Sequence, residues 1–231
     1  MTAFRELREA VLEGNLALPA HGLVTLTWGN ASQIDRDRGV IAIKPSGVSY
    51  AAMTREDIVI VDLDGEIVEG QRGPSTDTPT HLELYRRFDE IGGIVHTHST
   101  WATVWAQAQR EIPLYGTTHA DLCAEPIPVT RALSEDEISD GYERSTGTVL
   151  IEAIADLGPS RIPCALVRGH APFTWGPTLA KAVEVSVTLE EVARMAFLTA
   201  TLNPSAGSLD AAVRNKHYER KHGPNAYYGQ R

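Results

Sequence analysis

The stretch Ile58-Val59-Ile60-Val61-Asp62-Leu63-Asp64-Gly65-Glu66-Ile67-Val68-Glu69 decides the fold class. Its first half is rich in β-branched side chains, which suit a pleated surface. Asp64-Gly65 is a strong hairpin dipeptide, because both residues tolerate the positive φ that a two-residue turn requires. Glu66 to Glu69 then returns as the partner strand, so the pairing is antiparallel. Working outward, Val40-Ile41-Ala42-Ile43-Lys44 is a second branched run, closed by Pro45-Ser46-Gly47. Leu23-Val24-Thr25-Leu26-Thr27 is a third, broken at Trp28-Gly29-Asn30. Residues 23–70 therefore predict antiparallel strands with tight turns. Ahead of them Phe4, Leu7, Val11 and Leu12 recur at helical spacing, which predicts a helix over 3–16 stopped by Pro19 to Gly22.

On the other side, Gln71 to Thr78 reads as a loop. Residues 79–89 suit a helix opened by Pro79, with Leu82, Leu84 and Tyr85 available for burial. Ile91 to His98 reads as a strand and Thr100 to Gln109 as a helix. Val149-Leu150-Ile151 is either a strand or a helix start. Cys164 to Arg168 is a buried-strand candidate. The longest helix is expected over 178–202, capped by Thr178 and ended by Asn203-Pro204. No linker, repeat or low-complexity segment divides the chain, so the expected fold is one α/β domain over 1–231 with a largely antiparallel sheet.

The 231 residues are 42% hydrophobic, enough for a sizeable core, and carry a formal net charge of −9. That balance excludes nucleic acid and anionic membranes as partners, since both are bound by clustered Lys and Arg. A small anion needs only a few local donors and stays possible. Two cysteines in no CxxC pair point to a reducing compartment. The first residues lack a signal peptide's apolar core, and no apolar run approaches a membrane span. A cytoplasmic location is expected.

His96-Thr97-His98 is the sharpest chemical signal. On a strand, residues i and i+2 share a face, so two imidazoles can lean onto one ion. The same pair could equally be two hydrogen-bonded surface histidines. His170 ends another strand-like run, and three histidines around one ion leave an open position for chemistry. Asp77 could be a fourth ligand, an acid/base group, or simply a helix N-cap before Pro79. Thr27-Trp28-Gly29-Asn30 and Lys44-Pro45-Ser46-Gly47, with Ser75 and Thr76, could cradle an anion or be ordinary turns.

Read together, these segments resemble the class II aldolase/epimerase family, and within it the L-ribulose-5-phosphate 4-epimerases. The resemblance runs through Asn15 to Pro19, Leu23 to Asn30, Ile43 to Val48, Asp77-Thr78-Pro79-Thr80-His81 and Gly92 to Ser99. It continues through Gly116-Thr117-Thr118-His119-Ala120-Asp121 and Gly169-His170-Ala171-Pro172-Phe173. It ends with Lys216-His217-Tyr218, Arg220 to Gly223 and Ala226-Tyr227-Tyr228-Gly229-Gln230. Residues 131–148 and 153–163 match less well.

The resemblance implies a three-layer α/β/α fold with helices on both faces of the sheet. It implies a Zn2+ site at His96, His98 and His170 with Asp77 near or on the metal. Mn2+ and Co2+ also suit such a ligand set. It implies phosphate binding by Asn30, Lys44, Ser46, Gly47, Ser75 and Thr76. Acid/base roles fall to Asp121 and Tyr228, with Glu143 and His217 lining the same site from a neighbouring subunit of a homotetramer. The implied substrate is a phosphorylated ketopentose, epimerised at C4 in L-arabinose or L-ascorbate breakdown. Two alternatives on the same fold are an L-fuculose-1-phosphate type aldolase and a non-catalytic adducin-like module, which lacks the metal histidines.

Overall fold

The structure is a computed structural model and describes residues 4–228. Its centre is a seven-stranded sheet of order β4-β3-β2-β1-β5-β7-β6, antiparallel throughout. The strands are β1 (Asn30–Asp35), β2 (Val40–Ile43), β3 (Val59–Asp62), β4 (Ile67–Glu69), β5 (Gly93–His96), β6 (Cys164–Leu166) and β7 (Pro172–Gly176). The helices are α1 (Arg5–Ala20), α2 (Thr78–Arg87), α3 (Thr100–Gln107), α4 (Thr117–Leu122), α5 (Glu135–Ser139), α6 (Tyr142–Ile154), α7 (Leu179–Leu202) and α8 (Ala211–His222).

The central strands are apolar on both faces because both faces are covered. In β2 and β3, Ile41, Ile43, Val59 and Val61 point into one layer, closed by Leu84 and Tyr85 of α2 and Leu150 and Ile154 of α6. The alternate residues Val40, Ala42 and Ile60 point into the opposite layer, against Val11 and Leu18 of α1 and Leu179 and Ala182 of α7. Under β6, Cys164 and Leu166 pack on Trp105 of α3 and on Leu189 and Val192 of α7. The molecule is thus an α/β fold of three layers, as expected, and the β3–β4 hairpin pairs around Asp64-Gly65.

Several expectations are corrected. Leu23 to Thr27 is not a strand. Leu26 has φ 54°, Trp28 N–H closes a turn on the Thr25 carbonyl, and the sheet begins only at Asn30. The real β1, Asn-Ala-Ser-Gln-Ile-Asp, is too polar to stand out. α1 runs past the expected residue 16 to Ala20, with Pro19 in its last turn, and ends within the Pro19 to Gly22 stretch expected to stop it. The stop is Gly22 at φ 69°, where Gly22 N–H bonds the Pro19 carbonyl and Leu23 N–H the Leu18 carbonyl, a Schellman ending. Val149 to Ile151 lies in the middle of α6. β5 ends at His96, so His98 stands in the loop beyond it. The terminal Gly229, Gln230 and Arg231 lie outside the described residues.

Candidate metal centre and its cleft

Four strand ends meet at one edge of the sheet. β1 and β7 start there, and β2 and β5 finish there. In register, Asn30 is paired with His96, and His96 with Phe173. The chain enters β1 through Gly29, whose φ is 81° and where a Cβ would stand 2.8 Å from the His96 carbonyl oxygen. Only glycine suits that conformation and that approach. The Tyr50 hydroxyl shares its hydrogen between the carbonyls of Trp28 and Gly29, at 3.0 and 2.9 Å. The loop backbone is therefore fixed, while the Trp28 indole stays half exposed, 6.1 Å from the His98 ring.

The three histidines converge. Ligand nitrogens from His96, His98 and His170 all lie within 4.8 Å of one another. His96 Nε2 and His170 Nε2 are 3.2 Å apart, and the two rings stack at 5.1 Å. His96 Nδ1–H donates to the Pro172 carbonyl at 3.0 Å, which leaves the Nε2 lone pair facing its neighbours. Burial holds all three below the usual imidazole range, His170 down to about 4. Neutral imidazoles with convergent lone pairs are what a divalent ion requires, so these residues fit one.

Asp77 precedes α2 but its side chain caps nothing there. Its Oδ2 instead accepts from Asn30 Nδ2 at 2.7 Å and stands 3.9 Å from His96 Nε2. Burial works against its charge. The imidazoles of His96 and His81 and the Asn30 amide outweigh that and leave the carboxyl below its usual range. The N-cap alternative is therefore not what the side chain does.

Lys44 is 2% exposed, and its Nζ donates to the carbonyls of Thr27 and Pro45, at 3.4 and 3.3 Å, and lies 5.0 Å from the centre of the Tyr50 ring. Burial lowers its pKa. A buried ammonium with no carboxylate partner among the described residues is a strong anion attractor. The loop carrying Ser75 and Thr76 is fastened beside it, through Ser75 N–H to the Lys44 carbonyl and Ser46 N–H to the Gly73 carbonyl. The resulting cleft, of about 520 Å3, is lined by Asn30, Lys44, Ser46, Gly47, Ser75, Thr76, Asp77 and the three histidines.

Asp121, His217 and Tyr228 are not in that lining. They form a second polar cluster, where α8 packs on α4. Asp121 accepts from His217 Nδ1–H at 3.1 Å and from Arg220 at 3.1 and 2.7 Å. Glu143, in the first turn of α6, is outside both clusters. Its carbonyl accepts from Thr80 Oγ1 at 2.6 Å. Its neighbour Tyr142 lies nearer the histidines, 6.4 Å from the His170 ring. The sequence gives Tyr50 and Tyr142 no role at the site, and places Trp28 there only as part of a turn. Nothing in a single sequence distinguishes an aromatic that borders a cleft from one that fills a core.

The model of the class II aldolase and adducin N-terminal domain matches residues 9–197. The chain belongs to that family. Structural relatives agree on the class II aldolase fold. An L-fuculose 1-phosphate aldolase superposes with a TM-score of 0.79 at 22% identity, over 95% of this chain and 97% of that one. YgbL of Klebsiella pneumoniae, described as a putative aldolase/epimerase/decarboxylase, gives 0.73 at 23%, over 94% and 99%. The L-fuculose-1-phosphate aldolase of Thermus thermophilus gives 0.66 at 26%, over 88% and 98%. A class II aldolase fold with a histidine triad able to hold a divalent ion is consistent with metal-assisted aldol and retro-aldol chemistry.

Proposed function

We propose that this class II family member is an L-ribulose-5-phosphate 4-epimerase that interconverts L-ribulose 5-phosphate and D-xylulose 5-phosphate. The carrying observation is one cleft that joins three convergent histidines, a carboxylate of aspartate length and a buried, uncompensated lysine. C4 of a 2-ketopentose phosphate is β to the carbonyl, so its hydrogen is not acidic. Opening and re-forming the C3–C4 bond inverts it instead. A divalent ion held by His96, His98 and His170, with Asp77 beside it and zinc as the first choice, supplies a Lewis acid for the charge that this opening develops.

The chain's own groups do the rest. Lys44, Ser46, Gly47, Ser75, Thr76 and the second amide hydrogen of Asn30 hold the phosphate, so the aldehyde fragment turns without leaving. Asp121 and Tyr228 exchange the C4 hydroxyl proton on opposite faces. They reach the cleft from a neighbouring subunit of a homotetramer, together with His217 and Glu143. What supports that arrangement is the packing of Asp121, His217 and Tyr228 into one cluster on α4 and α8, apart from the cleft of the same chain. The reaction would serve pentose breakdown in the cytoplasm.

The fuculose-phosphate aldolases among the structural relatives keep a second reading open. Such an aldolase must take a proton from a carbon of dihydroxyacetone phosphate, and in family members that do so a glutamate stands near the metal. Asp77 is one methylene shorter, which favours the epimerase. The test measures D-xylulose 5-phosphate formed from L-ribulose 5-phosphate, with and without a chelator, against dihydroxyacetone phosphate released from L-fuculose 1-phosphate. Chelator-sensitive epimerisation without release supports the proposal, and release alone replaces it.

A further inference from the structure

Arg220 stands at the middle of the second cluster, in a basic helix, and the resemblance implies no role for it. Its guanidinium meets Asp121 twice, Nε to Oδ1 at 3.1 Å and Nη2 to Oδ2 at 2.7 Å. The same guanidinium carbon lies over the Tyr228 ring, 4.6 Å from its centre. Its own carbonyl accepts both the Tyr227 and the Tyr228 N–H, each at 3.0 Å. We propose that Arg220 is the positioning residue that joins Asp121 and Tyr228 into one proton-handling unit. This rests on the acid/base reading above.

The chemistry of the pair favours it. A planar fork matches both oxygens of a carboxylate, and a lysine in its place offers one point contact. The Asp121 side chain is only 16% exposed, so the pair is less screened than a surface one. α4 has six residues, and among the described residues the side-chain bonds to the Asp121 carboxylate come from His217 and Arg220. The groups that face the carboxylate come from α8: Arg220, His217 and, farther off, Lys221, while His222 Nε2–H donates to the Asp121 carbonyl. α7, which also packs on α4, presents Val192, Met195 and Ala196 on that side, and His119 of α4 donates instead to the Glu125 carbonyl. Burial raises the Asp121 carboxyl, and the bonds from Arg220 and His217 bring it net below its usual range. Tyr228 is 56% exposed, and what fixes it is the Arg220 carbonyl, the Arg220 guanidinium and Lys221 Nζ at 4.7 Å from its ring.

The test uses full-length, metal-loaded enzyme carrying Arg220→Gln or Arg220→Lys. The Asp121 carboxyl carbon is followed in 13C-aspartate-labelled protein and assigned by its loss in Asp121→Asn. In Arg220→Gln it is expected to titrate at higher pH than in the parent, and the acid limb of the kcat/KM profile should move up with it. kcat should fall by about tenfold or more with KM nearly unchanged, and Arg220→Lys should recover part of the loss. Metal content checks folding, and the lysine variant carries the comparison should the glutamine variant not fold. An unmoved carboxyl titration, an unmoved acid limb, or a loss confined to KM would overturn the role of Arg220 in an active enzyme. A parent enzyme inactive on both phosphosugars would instead bring down the acid/base reading, and the positioning role with it.

Discussion

His96 is held from several directions. Its Nδ1–H is committed to Pro172, its ring stacks on Phe173 at 4.2 Å, and its Nε2 faces His170 and Asp77. Replacement by alanine should therefore remove more than one ligand's share of affinity. We expect His96→Ala to retain well under one metal ion per chain after dialysis, measured by atomic emission, with the far-ultraviolet spectrum unchanged. Two other histidines carry a pH signature. Burial pushes His119 down to about 4 and His81 to about 3. Unfolded, each takes a proton near pH 6.5, while in the native protein the two imidazoles stay neutral there. The unfolded state then binds more protons, so stability falls as pH drops through 6.5 toward 4. Urea midpoints of metal-free protein should decline from pH 7 to pH 5, and His119→Gln should make that decline shallower. The metal candidates were legible because few residue types ligate and the spacing was short. Arg220 was not, because a basic residue in a basic helix is ordinary until its partner on α4 is seen.

At the scale of elements, the loop entering β1 matters most to the cleft. Its reading as a strand failed because Leu23 to Thr27 has the right residue types. The chain instead turns at Leu26 and Gly29, both with positive φ. β1 has no strand signature in the sequence because the apolar Ala31 and Ile34 are interspersed with buried polar Asn30 and Ser32. Asn30 and Ser32 point at Asp77 and His81, and Asn15 of α1 bonds both backbone groups of Ala31, at 2.9 and 3.0 Å. A polar strand is tolerated only where helices bring partners to it, and pairing with distant helices is invisible in local pattern. Gly29→Ala combines a left-handed backbone with contact on the His96 carbonyl. It should cost about 1–3 kcal/mol in chemical denaturation and weaken metal binding in isothermal titration, because it displaces His96's own strand.

The β3–β4 hairpin, the apolar runs and the long α7 made the class of fold legible, since a sheet buried on both faces writes its strands as continuous branched runs. A homotetramer is implied only by resemblance, because subunit contact surfaces carry no periodic signal in a sequence. If the sites lie between subunits, hybrids of two inactive variants can recover activity. Co-expressed His96→Ala and Asp121→Asn chains should show about a quarter to a half of parental turnover where each alone shows almost none, and a site built within one chain would give none. Among the described residues no helix is long and apolar enough to cross a membrane.

The pairing of Asn30 with His96, and of His96 with Phe173, sets the cleft in the sheet's register. Side chains on a strand alternate between faces, so a one-residue slip would swing an entire row to the far side of the sheet. Asn30 and the histidines of the cleft therefore share a reading frame in space. A residue inserted between Asn30 and Ile34 would misalign the cleft as a frameshift garbles a message, even with every functional side chain still present. Lengthening the turn between β3 and β4 at Asp64-Gly65, at the far edge of the same sheet, leaves that frame intact. Tolerance to insertion along this chain is set by distance from the β1–β5–β7 seam rather than by distance from any single residue.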